Sequence, residues 1–306
     1  MTDATSIAIG DLSALTGVPV RTIRFYCDEG ILEPVRSAGG HRRFDAAAAE
    51  RLRLVRRLRG LGLGLPAITA VLTGDRSLDE AVAAERSALD VELAALAWRR
   101  ASLRAVEDAD PAERAARLDL LAAVQDGPKA HEALLDFWRR RIMVPVPDEL
   151  VRVHLELTVP APPADPTPGQ VVAYAEMVAL TGDRVLVREL RAQGRANAEQ
   201  VADEPTLLNG MREAVELAMP LVRARREPEP GPALERFMEA HAAGRRERDS
   251  PGFRRSLLPA VALEQDPRMR RYWELNGEVA GDAAVPGAVV LWLIDALEGS
   301  VALQRA

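Results

Sequence analysis

The sequence predicts a mainly α protein in three parts, and three observations carry that reading. Ala, Leu and Arg dominate the 306 residues while aromatics make up only 4%, and alanine and long unbranched side chains lose little freedom on entering a helix. Apolar residues recur at helical spacing, and the rear of the chain shows no convincing period-two strand pattern. Prolines fall where helices would start. A chain of this length is expected to form two or three folding units, and the residues divide into 1–76, 77–108 and 109–306.

Charge is distributed unevenly. The chain carries −6 overall, yet Gly17 to Arg59 holds ten arginines against five acids, so that stretch is +5 and the remainder −11. A basic front and an acidic rear suit a DNA reader joined to a domain that avoids DNA. Lys129 is the only lysine, a bias that carries no mechanism. Cys27 is the sole cysteine, which excludes an intramolecular disulfide and a thiolate metal cluster within one chain. No charge-free run of about 18 apolar residues exists, and MTDATSIAIGD has no basic segment followed by an apolar one. A soluble, cytoplasmic protein with no membrane partner is expected.

The first element is Ile9–Thr16, IGDLSALT, whose Ile9, Leu12 and Leu15 make one helical stripe; Gly17 follows as a C-cap. Val18 and Pro19 make a turn, and a second helix runs from Val20 to Glu29 before Gly30. Two short helices around a tight turn are a helix-turn-helix. ILEPVRSAGGHRRF then reads as two extended runs around Ala38-Gly39-Gly40, glycines that allow a hairpin turn. This hairpin is a wing. Arg36, His41, Arg42 and Arg43 lie on or beside it, positioned to grip phosphates or to enter the minor groove.

The order and spacing of IGDLSALTGV, TIRFYCDEGIL, EPVR and GGHRRF resemble those of MerR-family transcriptional regulators. ERLRLVRRLRGLGLGLPAITAVL, Glu50–Leu72, is similar to the family's next helix pair, so the resemblance covers about the first 75 residues. It implies a winged helix-turn-helix whose helix from Val20 enters the major groove. Arg21, Thr22, Arg24 and Tyr26 match DNA-contacting positions, and Arg36, Arg42 and Arg43 match wing positions that hold the backbone. His41 stands where the family often has tyrosine.

From Ser77 a long helical pattern runs to Val106, opened by a capping box of Ser77 and Glu80. Val82, Leu89, Leu96 and Leu103 recur every seven residues, a seam that another helix must cover. Resemblance to the family implies an antiparallel coiled coil and a homodimer here; packing on the chain's own rear is the alternative. Metal-sensing relatives carry cysteines at the start of this helix and in the loop after it. This chain has none there, and His131, His154 and His241 fit no zinc spacing, so no metal and no cofactor is expected.

The rear is expected to be an all-α effector domain, with helix starts at Pro111, Pro128, Pro147, Pro205, Pro251 and Pro267. Val159–Gly169, VPAPPADPTPG, reads as an exposed loop or lid between two helical halves. Among family effector domains the helical thiopeptide-sensing type is the nearer analogy, through DPRMRRYWELNGEVAG. Trp138, Tyr272, Trp273 and Trp292 are candidates to line a pocket for a lipophilic or cationic organic ligand; packing in the core is the alternative for each.

The expected function is a sequence-specific, ligand-responsive transcriptional regulator that binds an inverted-repeat promoter as a homodimer. By resemblance, it distorts an overlong promoter spacer so that RNA polymerase can engage. The alternatives are an enzyme with a catalytic rear domain and an architectural DNA protein. Glu156, Glu176, Asp183 and Asp295 are the acids available to an enzyme, but none is spaced with a His, Ser or Cys to make a nucleophile and base.

Overall fold

The computed structural model describes residues 6–36, 42–140, 148–282 and 284–303. Internal contacts divide the chain into two units, Met1–Glu92 and Leu93–Ala306. The division falls inside one long helix, and each unit has its own core.

The first unit opens with strand β1 (Ile7–Ala8), followed by α1 (Ile9–Thr16) and α2 (Val20–Asp28). Strands β2 (Val35–Arg36) and β3 (Arg42–Phe44) come next, then α3 (Ala46–Gly60), α4 (Leu65–Thr73) and the start of α5 (Leu78–Glu107). The sheet has the order β1-β3-β2, with both pairs antiparallel; Ile7 faces Phe44, Val35 faces Arg43 and Arg36 faces Arg42. β1 was not visible in the sequence because two residues are too few for a period to show. The expected wing turn, Ala38-Gly39-Gly40, and His41 lie outside the described residues.

Helices of eight or nine residues are marginal alone, so burial holds these. Leu12, Ile23, Leu32, Phe44, Leu52, Val55, Leu63 and Ile68 are almost wholly enclosed, each worth roughly 1.5–3 kcal/mol relative to exposure. Asp45 caps α3 by accepting from the Ala48 backbone N–H at 2.8 Å. Gly17 is demanded twice over. Its φ is +68°, and a Cβ there would meet Arg56 Nη1 at 2.9 Å, where that guanidinium donates to the Thr16 carbonyl. The capping box before α5 is present: Glu80 N donates to Ser77 Oγ and Ser77 N donates to the Glu80 carboxylate.

The second unit is built of helices joined by loops, with no strand among its described residues. It comprises α6 (Arg114–Ala122), α7 (Gly127–Arg139), α8 (Asp148–Thr158), α9 (Pro168–Thr181), α10 (Arg184–Gln200), α11 (Glu204–Arg223), α12 (Pro232–Gly244), α13 (Pro251–Val261), α14 (Pro267–Ala280) and α15 (Pro286–Leu303). Two apolar cores fill it. One gathers Trp98, Trp138, Tyr174, Met177 and Tyr272, and the other gathers Phe237, Met238, Leu257, Val289 and Leu293. α15 has the length and apolar composition of a membrane span. In this fold it is a core helix, with Val289, Leu293, Ile294 and Leu297 enclosed.

Four expectations change here. Pro128, Pro205, Pro251 and Pro267 do open helices, but Pro111 opens only a turn, since α6 starts at Arg114. Pro147 lies outside the described residues. The proline-rich segment is shorter than expected, because Pro168 and Gly169 begin α9 behind a Thr167–Gln170 capping box. It does not separate two halves either: α8 before it and α9 after it share the first core. Nor is it a free lid. Val159 is buried, Tyr174 Oη donates to the Pro160 carbonyl at 2.9 Å, and Asp165 accepts from Arg100 at 2.6 Å.

Candidate nucleic-acid interface

Helical geometry advances 100° per residue, which sets Arg21, Arg24, Phe25 and Asp28 on one face of α2 and Ile23 on the opposite one. Ile23 is fully buried and roots the helix in the core, while Arg21 and Arg24 are exposed and Phe25 is 45% exposed. Thr22 and Tyr26 share a half-buried flank. The Tyr26 carbonyl accepts from the Ile31 and Leu32 backbone N–H groups, closing the helix end around Gly30 at φ +74°. Neither Arg21 nor Arg24 has a hydrogen bond or ion pair among the described residues. Phe25 escaped the sequence reading, although its place one turn from Arg21 was a visible signal.

The wing arginines are held differently. Arg42 donates from Nη2 to Asp28 Oδ1 at 2.9 Å, joining β3 to the last residue of α2. Arg43 donates from Nε to Ser6 Oγ at 2.8 Å and from Nη2 to the Ser6 carbonyl at 2.9 Å. The cross-strand register sets Arg36 opposite Arg42. On α3, Arg56 and Arg59 each donate to a carbonyl, those of Thr16 and Leu63, and Arg53 pairs with Glu50, which leaves Arg51 and Arg57 as its exposed cations without a partner among the described residues. Cys27 is half-buried, and burial pushes its thiol up, with Arg42 opposing. A protonated thiol is a poor nucleophile.

Along α5 the heptad residues Val82, Leu89, Leu96 and Leu103 are 40%, 47%, 55% and 65% exposed. Within the second unit the same helix turns Trp98, Ala101 and Ala105 into the core, with Trp98 Nε1 donating to the Val124 carbonyl at 3.1 Å. Its apolar residues therefore form a buried face and a separate uncovered seam.

The four candidate ligand-binding aromatics divide. Trp138 and Tyr272 are interior: Trp138 Nε1 donates to Tyr272 Oη at 2.6 Å, and Tyr272 Oη donates to the Thr158 carbonyl at 3.1 Å. Trp273 and Trp292 line one cleft of about 640 Å³ together with residues of α14 and α15. The acids open to an enzyme reading are each bound to an arginine. Glu156 pairs with Arg152, Glu176 with Arg271, Asp183 with Arg268 and Asp295 with Arg270, all at 2.5–2.9 Å. Asp183 is held below the usual carboxylate range, mainly by the Arg268 guanidinium. Among the described residues no group of three or more His, Cys, Asp or Glu could hold a metal ion.

A helix-turn-helix with a β-wing and a basic reading helix defines a class of DNA-binding regulator. The description "MerR HTH family regulatory protein" matches residues 7–75. The chain is 37% identical over 112 residues to the HTH-type transcriptional regulator MerD of Shigella flexneri, a stretch that is 35% of this chain and 91% of MerD. It is 35% identical over 97 residues to the nodulation protein NolA of Bradyrhizobium diazoefficiens, 31% of this chain and 41% of NolA. It is 40% identical over 68 residues to the HTH-type transcriptional activator TipA of Streptomyces coelicolor, 22% of this chain and 27% of TipA. The chain thus spans about two fifths of the length of its NolA relatives. No solved structure matches it. The chain belongs to the MerR family of helix-turn-helix transcription regulators.

Proposed function

We propose that the protein binds an inverted-repeat promoter as a homodimer, in the compartment that holds that DNA, and answers to a small organic ligand in its second unit. The observation that carries this is the outer face of α2. Arg21 and Arg24 stand exposed without a partner among the described residues, on a helix rooted by Ile23. Such cations reach phosphate oxygens or guanine edges in a major groove. The wing supports the reading, since β3 carries Arg42 and Arg43 and Arg42 ties it to Asp28 at the end of α2. Pairing through Val82, Leu89, Leu96 and Leu103 duplicates the head, and two-fold symmetry matches two half-sites.

Ligand control follows from thermodynamics. A ligand shifts the set of the two heads only by its differential affinity for the two states. Specificity at the centre of the operator then comes from deformability of base steps that no side chain touches, and the reshaped spacer is what RNA polymerase engages. The test is fluorescence anisotropy of the full chain on a duplex taken from upstream of its own gene, against a shuffled duplex, over a salt series. Preference for the native duplex at moderate salt is the expected result; equal affinity for both refutes the assignment. In vitro transcription with metabolites selected by thermal shift tests the ligand response separately.

A further inference from the structure

We propose that the cleft between α14, α15 and the end of α11 binds a small organic cation with a flat apolar body. The proposal rests on the ligand-responsive reading above and names the site and the ligand chemistry. The cleft is open to solvent and offers about 640 Å³, within the range that houses drug-sized molecules. Its apolar wall is built from Val222, Trp273, Ala288, Leu291 and Trp292, and Gly277 and Gly281 leave it room. Trp273 belongs to the first core and Trp292 to the second, so an occupant touches both.

The charge at its rim selects the ligand. Arg270 is gripped by both oxygens of Asp295, at 3.0 and 2.5 Å, and Asp282 accepts twice from Arg223, at 3.2 and 2.7 Å. Those four charges cancel. Glu274 and Glu278 both lie 3.4 Å from the same Nη1 of Arg271, whose Nη2 donates to Glu176 at 2.8 Å. Three carboxylates share one guanidinium, and the two of them that line the cleft, Glu274 and Glu278, leave negative charge in excess beside its indole-lined wall. A cation is attracted both by the carboxylates and by the indole faces, whereas a phosphorylated or carboxylated metabolite is repelled.

A second observation is independent of the charge. Trp273 is 4% exposed, and its Nε1 is buried without a hydrogen-bond partner. A buried donor left unpaired is uncommon, and the π face of an aromatic ligand body would accept from it. The ring lies flat against Gly287, where an added Cβ would come within 2.0 Å of Cδ2.

The test is calorimetric titration of the full chain with 1-naphthylmethyltrimethylammonium, with its uncharged isostere bearing carbon in place of nitrogen, and with 1-naphthalenesulfonate. One cation is expected to bind per chain, roughly tenfold tighter than the isostere, with no binding of the sulfonate. The double change Glu274→Gln and Glu278→Gln keeps the shape of the rim and is expected to erase most of that preference. Ala288→Trp fills the cleft and is expected to abolish binding of both. Equal binding of cation and isostere, a preference untouched by the glutamines, or no binding of either overturns the proposal. If none of the three binds while transcription still answers to another metabolite, the ligand-responsive reading stands and the cation assignment alone falls.

Discussion

Arg42 on β3 holds Asp28 at the end of α2, with 2.9 Å between Nη2 and Oδ1, so one charge pair joins wing to reading helix. The pair is solvent-exposed on the Asp28 side, where such bridges contribute about 0–1 kcal/mol. On the proposed reading its larger effect is on DNA, because Asp28 neutralises a cation on the face that would meet phosphates. Asp28→Ala is expected to tighten non-specific duplex binding at low salt and to steepen the slope of log K against log salt by up to about 0.9, with little change in the unfolding midpoint. Weaker binding would mean that the bridge holds the wing in place and that this is its main role.

Arg24 and Arg43 make a contrasting pair. Arg24 is exposed with no partner among the described residues, so Arg24→Ala is expected to remove a phosphate or base contact at little structural cost. Operator affinity should drop by about 1–3 kcal/mol if it reads a base, or the salt slope should flatten by about 0.9 if it holds a phosphate. Arg43 ties β3 to Ser6 by two hydrogen bonds, so Arg43→Ala should also lower the melting temperature. Anisotropy and thermal denaturation on the same samples separate the two cases.

The uncovered seam on α5 gives a third expectation. Leu89 and Leu96 are about half exposed in the single chain, so a charge at either position costs the monomer little and the dimer much. Leu89→Glu with Leu96→Glu should convert a dimer into a folded monomer by sedimentation velocity, and operator affinity should fall with it. A wild-type chain that sediments as a monomer at micromolar concentration would remove the homodimer from the proposal.

How much of this was legible beforehand depended on the range of the interactions. Ile9–Thr16, the turn at Gly17 and the Ser77–Glu80 box were readable because capping and helical stripes are local, decided within four residues. β1 was not, since its partner Phe44 lies 37 positions away from Ile7. The same distance hid Ser6 as the anchor of Arg43. Trp138 and Tyr272 could be listed as pocket candidates only because sequence shows that rings exist, whereas their mutual hydrogen bond spans 134 residues. The proline-rich segment misled for a related reason: proline content correctly excludes a helix from Pro160 to Thr167, but it says nothing of the hydroxyl of Tyr174 or the guanidinium of Arg100 that pin the loop down.

The last expectation concerns pH and needs no DNA. His241 on α12 is buried beside Phe237, and its Nδ1 accepts from Arg245 Nη1 at 3.0 Å. Burial first, and the Arg245 charge second, press its pKa down to about 3 from the ordinary 6.5. The unfolded chain therefore takes up a proton below about pH 6.5 that the folded chain refuses until near pH 3, so folding stability falls as pH drops through that window. The initial loss approaches about 1.4 kcal/mol per pH unit, in the same direction as the loss from protonating ion-paired acids such as Asp183 and Asp266, whose pKa values are lowered by Arg268. His241→Gln offers an amide oxygen to Arg245 without a titrating group. Urea midpoints of the two proteins should therefore run parallel above pH 7 and diverge between pH 6 and pH 4.5, the wild type falling faster. Parallel curves throughout would mean that His241 reaches solvent when protonated and that its burial has no hold on acid stability.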